Sequence, residues 1–472
     1  MNEYRSRGKE ILKIFINNGY EAYFVGETVR NIILGKSIKT IEITTSAHLD
    51  IVKNLFRDCL IVEENEKMIT LEYAGYNYNI KSFISGEISS KAISTTKHYS
   101  KNLLDDLANR DYSINAIAMS HSGKLTDAHD GYLDIKKKRI THIGNAKNRF
   151  FKDPCLIIRA FVLISELGFK IAPKTYKAIK KRKKYLLHGD INLILDELKQ
   201  MFEGAYTKKA ICELYKMNVY KMLPMFKKLI KYLRYNYKKS TFEEILLMTD
   251  VLNGKLNENF KEYVKDYEEY SKVFDLVIAN KKSKYDSVTL YTNGLKVCLY
   301  ANRINYLLGR CRKKDNKITK QYDRLIIKNI DELNYRINDI KNIIYEKDYE
   351  KINYILEETL KLVLLGEIRN VRNEVEKTII QLLQKNNIYY NLQGINNSNE
   401  EKSIIQETQN KTNVITNVND SNKQIVENIN DITDSMISEL IKNEILDQNI
   451  DKEKFRNDLN DFIFNYFKKG DN

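Results

Sequence analysis

"YFVGETVRNIILGK", residues 23–36, reads as a short strand, a turn at Gly26 and a helix. The β-branched and aromatic run before the glycine favours an extended chain. The apolar residues after it recur at helical spacing, and a helix that opens on a glycine turn presents free backbone amides at its positive end. Arg30 is expected to face whatever sits over that turn. The next stretch, "GKSIKTIEITTSAHLDIV" (35–52), alternates Ile38, Ile41 and Ile43 with polar residues and is expected to end in the turn-like cluster Thr44-Thr45-Ser46. Strand, helix and strand in succession announce an α/β layer.

Working outward, residues 1–145 mix short strand-like runs, "EAYFVG", "KMITLEYAGYNYNIKSFI" and "KLTDAHD", with a few helices. Residues 146–387 turn helical. "DPCLIIRAFVLISELGF", "NLILDELKQMFEGAY" and "KKAICELYKMNVYKMLPMFKKLIKYL" carry apolar residues three and four apart. We expect a head at 1–145, a helical neck at 146–205 and a helical body at 206–387. Residues 388–433 are rich in Asn, Gln, Ser and Thr without a sustained apolar face, which predicts a disordered linker. Residues 434–472 regain helical spacing and predict an amphipathic tail, able to fold back or to pair with another chain.

The chain has 472 residues, a net charge of +15 and 43% hydrophobic residues, enough for several cores. No run of about 18 apolar residues exists and the first 15 residues lack the apolar core of a signal peptide, so a cytoplasmic location is expected. Five cysteines, Cys59, Cys155, Cys212, Cys298 and Cys311, are odd in number and never spaced as metal ligands; they are expected to be buried small hydrophobes. Positive charge points to a polyanion, although three prolines, no tryptophan and abundant Lys, Asn, Ile and Tyr also reflect an AT-rich coding bias.

Several chemistries are excluded. "LGKS" (34–37) resembles the end of a phosphate-binding P-loop, but position 30 is Arg30 where that motif needs glycine. The six histidines have no metal-ligand spacing and are expected at the surface or hydrogen-bonded. Nothing marks a nucleophile for a Ser-His-Asp arrangement.

What remains is an ordered series: "YFVGETVRNIILGK", "LLDDLANRDYSINAIAM" (103–119), "DAHDGYLDIKKKRITHIG" (127–144) and "FKDPCLIIRAFVLISELGF" (151–169). The series resembles the class II tRNA nucleotidyltransferase and poly(A) polymerase family, the CCA-adding enzymes, whose motifs read GGxVRD, RRDFTxNA, DxxGGxxDLxxxxIR and EDxxRxxRAxRFAxxLGF. The resemblance spans roughly residues 8–230. It implies an α/β nucleotidyltransferase head with a mixed sheet, followed by an all-α neck and body. It also implies a reaction in which an RNA 3′ hydroxyl, tRNA above all, attacks the α-phosphate of CTP or ATP beside Mg2+ ions held by an Asp-x-Asp pair.

By the same resemblance Gly26 and Arg30 lie near the phosphates, Arg110, Asp111 and Asn115 contact nucleotide sugar and phosphate, and Asp153 and Arg159 belong to the base-selecting helix. Asp127, Asp134 and Arg139 match a segment that couples head motion to catalysis. The departures fall on the chemistry. Thr40 and Glu42 stand where the family has its two metal-binding aspartates; Glu42 can hold one ion, whereas a neutral hydroxyl at 40 cannot bridge two cations. Glu27 replaces the second glycine of the phosphate turn. Lys152, Leu156 and Val162 replace charged residues of the base-selecting helix.

Two functions are compatible with these residues: a diverged nucleotidyltransferase with relaxed nucleotide choice, and a non-catalytic RNA-binding module derived from one. The basic runs at 170–185 and 220–239 supply phosphate contacts in either case, or else are solvated helix faces.

Overall fold

The computed structural model describes residues 2–38, 40–65, 68–85 and 99–390. The expected linker and tail therefore lie, from residue 391 onward, outside the described residues. The described chain divides into two compact units, Met1–Asn334 with Glu358–Val375, and Tyr335–Glu357 with the residues that follow Val375.

The first unit opens with α1 (Asn2–Asn17), β1 (Ala22–Phe24), α2 (Gly26–Leu34), β2 (Ile41–Thr45), α3 (Leu49–Leu55), β3 (Leu60–Asn65), β4 (Met68–Tyr73) and β5 (Tyr76–Ser82). α4 (Leu103–Asn109), β6 (Ile117–Met119) and β7 (Leu125–Asp127) complete a seven-stranded sheet in the order β3-β4-β5-β2-β1-β6-β7. The sheet is mixed: β2 and β5 run parallel and the other described neighbours antiparallel. The β4–β5 hairpin turns through Ala74 and Gly75, both at positive φ, which matches the right-handed twist of its strands.

β2 departs from expectation. Thr44 and Thr45 are not a turn but fully buried members of the strand. A buried hydroxyl needs a partner, and each has one: Thr44 Oγ1 donates to Asp106 and Thr45 Oγ1 to the Glu21 carbonyl. The strand continues because its neighbours satisfy both threonines.

After the sheet come α5 (Gly131–Lys136), β8 (Arg139–Ile140), α6 (Ala146–Lys152), α7 (Cys155–Leu167), β9 (Lys170–Ile171), α8 (Pro173–Arg182), α9 (Ile191–Glu203), α10 (Thr207–Lys216) and α11 (Lys227–Asn236). α7 is apolar on almost every side and is the core of this part, with Ile157, Ile158, Phe161 and Ile164 at or near zero exposure. Pro154 starts it and Gly168, at φ 69°, ends it. The long helical run expected over 208–233 is broken into α10, a 3-10 turn (Val219–Met222) and α11. Asn218 adopts φ 58° between the first two, and Pro224 prevents continuation before the third.

The unit continues with α12 (Phe242–Asn253), α13 (Tyr267–Ala279), α14 (Ser287–Leu307) and α15 (Asp315–Asp323). A share of the lysine surplus is structural. Lys209 donates to the Gly168 carbonyl at the end of α7, Lys183 to Met217 after α10, Lys208 to Leu233 in α11, Lys228 to Leu252 in α12 and Lys238 to Tyr306 in α14. Each ammonium meets orphan carbonyls at the negative end of a helix.

In the second unit Ile340, Ile344, Ile355, Ile379 and Leu383 are buried. Packed chain runs on to Tyr390, which bridges Ile344, while Ile388 is buried, so the first three residues of the expected linker are ordered structure. Among the described residues no helix is long and apolar enough to cross a membrane. Cys155 and Cys298 are buried as expected, whereas Cys59, Cys212 and Cys311 are partly exposed.

Candidate active site

The turn between β1 and α2 brings three of the sequence-derived residues together. Gly26 adopts φ 65°, and a Cβ there would lie 2.3 Å from Glu42 Oε2, so only glycine permits this approach. β1 pairs antiparallel with β2, and the Val25 amide donates to the Glu42 carbonyl. Thr28 Oγ1, fully buried, accepts from the Glu42 amide at 2.8 Å and donates to the Thr40 carbonyl at 3.3 Å. One helix hydroxyl thus sets the backbone at both metal positions of the resemblance.

The charge at this place is cationic on one side. Arg110 Nη1 lies 3.9 Å from Glu42 Oε2, and Arg110 Nη2 is 3.2 Å from Asp106 Oδ2, the same oxygen that accepts from Thr44. The site therefore holds the relay Glu42–Arg110–Asp106–Thr44. Among the described residues no three carboxylate, histidine or cysteine side chains gather as a metal-ligand set. With a hydroxyl at 40 and a guanidinium facing the one carboxylate at 42, these residues do not fit a two-metal centre.

Arg30 does not face open space over the turn. It is buried, with Nη1 donating to Asn115 Oδ1 at 2.9 Å and Nη2 reaching Glu166 at 3.2 Å and Glu27 at 3.5 Å. Glu27 sits in the first turn of α2, where the helix dipole favours a carboxylate, and also accepts from Asn31. The positive end of α2 thus carries an internal anion.

A second cluster forms where α7 packs on α9. Arg159 Nε donates to Glu197 Oε1 at 2.9 Å, a second short contact runs from Nη2, and Nη1 reaches Asp111 Oδ2 at 3.5 Å. Burial alone would raise the Asp111 carboxyl, but Arg159 and the Tyr112 amide hold it below the ordinary range. Burial keeps Glu197 above its ordinary value in spite of Arg159. Asp153 Oδ1 accepts from the Cys155 amide, the first of α7, one residue before the Pro154 N-cap. Leu156 is buried, and its carbonyl accepts from Tyr112.

Asp127 accepts from the amides of His129, Gly131 and Tyr132, while Asp134 is buried between Ser113 and Arg139. His142 differs from the surface or hydrogen-bonded histidine expected: it is buried edge-on against Tyr112 and Phe150. Burial and then Arg149 push its pKa down to about 4, so it packs as a neutral ring.

Glu166, Asp106, Thr28 and Glu197 were not singled out from sequence. Glu197 had a signal: it falls inside the apolar stripe Ile194, Leu198, Met201 of α9, where a charge needs a buried partner.

A strand–glycine–helix turn on a mixed sheet, followed by packed helices, frames the candidate site. Residues 22–141 match the poly(A) polymerase head domain. The chain is 28% identical over 388 residues to the CCA-adding enzyme of Oceanobacillus iheyensis, covering 79% of this chain and 96% of that one. It is 29% identical over 391 residues to the CCA-adding enzyme of Ligilactobacillus salivarius, with the same coverage of 79% and 96%. The fold is similar to that of the Bacillus stearothermophilus CCA-adding enzyme in complex with CTP, with a TM-score of 0.68 at 22% identity over 82% of this chain and 99% of that one. A CCA-adding enzyme in complex with ATP gives a TM-score of 0.55 at 20% identity, over 81% of this chain and 95% of that one. Over most of its length the chain is thus similar to CCA-adding enzymes, and its residues 22–141 carry a poly(A) polymerase head domain.

Proposed function

We propose that this chain is a CCA-adding-enzyme relative that engages RNA 3′ ends, tRNA above all, while its capacity for nucleotide transfer is strongly weakened or lost. The observation that carries this reading is the relay at the family's metal position, where Glu42 faces Arg110 and Thr40 offers only a hydroxyl. An arginine within ion-pair range supplies a fixed positive charge beside the one carboxylate. It can neither activate a 3′ hydroxyl nor accept a ligand, as a divalent ion does. Loss of one bridging carboxylate costs several kcal/mol of transition-state stabilisation, and each ~1.4 kcal/mol is a factor of about ten in rate.

The other residues keep supporting roles in this reading. Arg110, Asp111 and Asn115, which the resemblance gives to the nucleotide, are held by Glu42 and Asp106, by Arg159 and by Arg30 respectively. Arg30 acts as a positioning residue, because Asn115, Glu166 and Glu27 already occupy its guanidinium. Asp153 and Arg159 order the start of α7 and its contact with α9. Leu156 removes a hydrogen-bonding side chain from the face expected to read the base.

The alternative within the same family is a slow enzyme that uses Glu42 alone, favoured by the partial exposure of that carboxylate, 29%. Binding of tRNA lacking its 3′ end, titrated from low to high salt, tests the RNA half of the reading. A steep fall of affinity with salt is expected from counterion release. Salt-independent binding, or none, would contradict it.

A further inference from the structure

Four planar groups stand in a row where α10 and α11 meet. The Tyr220 and Tyr215 rings are stacked, with centroids 4.7 Å apart and planes 9° from parallel. The Arg234 guanidinium lies 4.1 Å from the Tyr215 ring centre and 4.2 Å from that of Tyr235, so it is held between two rings. Tyr220 is buried, and packing accounts for it. Tyr235 is 72% exposed, so beyond its contact with Arg234 most of the ring is open to solvent.

The second observation is charge. Burial first, and then the neighbouring charges of Lys180, Lys221 and Lys184, depress the pKa of Lys183 in the 3-10 turn after α8. Lys221 directly follows Tyr220 in the turn that carries the inner end of the row. Among the described residues no carboxylate lies within ion-pair distance of Lys180, Lys183, Lys184, Lys221 or Arg234. Crowded like charges without counter-charges are unfavourable in the free protein and become favourable on a polyanion. Aromatic rings beside such cations suit an anion that also carries π-faces.

We propose that this surface seats a short unpaired RNA segment, one base stacked on the outer face of Tyr235 and phosphates farther along the strand on Lys180, Lys184 and Lys221 at the inner end of the row. The proposal rests on the reading that the chain binds RNA, and adds a preference for single-stranded over fully paired RNA. Arg234 serves the stack by holding Tyr235 and by supplying a cation unneutralised by any carboxylate. Lys183 serves the fold, since it also donates to the Met217 carbonyl.

The test uses the full chain and two fluorescent RNA hairpins, one with a short 3′ single-stranded overhang and one blunt. The overhang probe binds more tightly, and Tyr235→Ala weakens it about tenfold while leaving the blunt probe unchanged, as loss of one base–aromatic stack requires. Tyr235→Phe, which keeps the ring, restores the difference. Lys180→Ala, Lys184→Ala and Lys221→Ala together lower the salt slope for the overhang probe by about 2, near 0.7 per phosphate contact. Unchanged overhang affinity in Tyr235→Ala, or an equal loss on both probes, overturns the stacking site while leaving RNA binding standing. Competition by polyglutamate as effective as by RNA assigns the patch to an acidic protein and overturns it too. No binding of either hairpin by the natural chain overturns both this site and the RNA-binding function.

Discussion

Breaking the contact between Arg159 and Glu197 is expected to loosen α7 from α9, the pair on which the neck is built. Glu197 is 4% exposed, and only its Oε1 has a hydrogen-bond partner. Glu197→Gln keeps shape and acceptor but turns charge-assisted hydrogen bonds into neutral ones, a loss of about 1–2 kcal/mol. Arg159→Met leaves the carboxylate buried without its cation, which for a fully buried pair costs about 3–5 kcal/mol. The Arg159 side chain is 43% exposed, so solvent screens the interaction and about 2–3 kcal/mol is the better figure.

In the double variant neither charge is stranded, so its cost falls short of the sum by about 1–2 kcal/mol. Glu197 also sets a pH dependence. Its carboxyl is already held above the ordinary value by burial, and removal of Arg159 raises it further. A raised acid contributes stability that is present at low pH and lost as pH rises, so Arg159→Met should be less damaging at pH 5 than at pH 8. Urea unfolding of the four proteins at both pH values, followed by circular dichroism, measures the cycle. Additivity within about 0.5 kcal/mol would refute an energetic pairing of these two residues.

A further outcome concerns Asp250, which is buried against the Tyr270 hydroxyl and whose pKa burial pushes up to about 7. Its stabilising share is complete below the unfolded value near 4 and declines as pH rises toward 7, by an amount on the order of 4 kcal/mol. Asp250→Asn should therefore gain on the natural chain between pH 5 and pH 8 in urea midpoints. An identical pH profile for the two would show that Asp250 does not titrate in this way.

Much of the head was legible because its signals are local. Gly26, the alternation before Thr44 and the strand-like character of 67–84 each depend on residues a few positions apart, although the turn at Ala74 and Gly75 that makes the last a hairpin was not read. α7 was legible because an apolar helix with Pro154 before it and Gly168 after it has one reading. What sequence could not give was long-range satisfaction of polar groups. Thr44 and Thr45 look like a turn until Asp106 and the Glu21 carbonyl are brought to them. Arg30 looks like a free phosphate ligand until Glu166, far along the chain, is found beside it. The same holds for Arg110, which the resemblance gives to the nucleotide and the fold gives to Glu42 and Asp106. Likewise, lysines that read as one basic field divide into those that close helix ends and those left without counter-charges.

The central claim is that Thr40, Glu42 and Arg110 leave the head without an efficient transfer centre. Its most direct test is single-turnover incorporation of CTP and ATP into tRNA lacking its 3′ end, with saturating Mg2+, beside the Oceanobacillus iheyensis enzyme. The natural chain is expected to be slower by about a thousandfold or more, the equivalent of about 4 kcal/mol. Thr40→Asp with Glu42→Asp and Glu27→Gly should recover measurable transfer, whereas Leu156→Arg is left out because that position is buried. Incorporation by the unmodified chain at a rate within about tenfold of the comparison enzyme would contradict the claim.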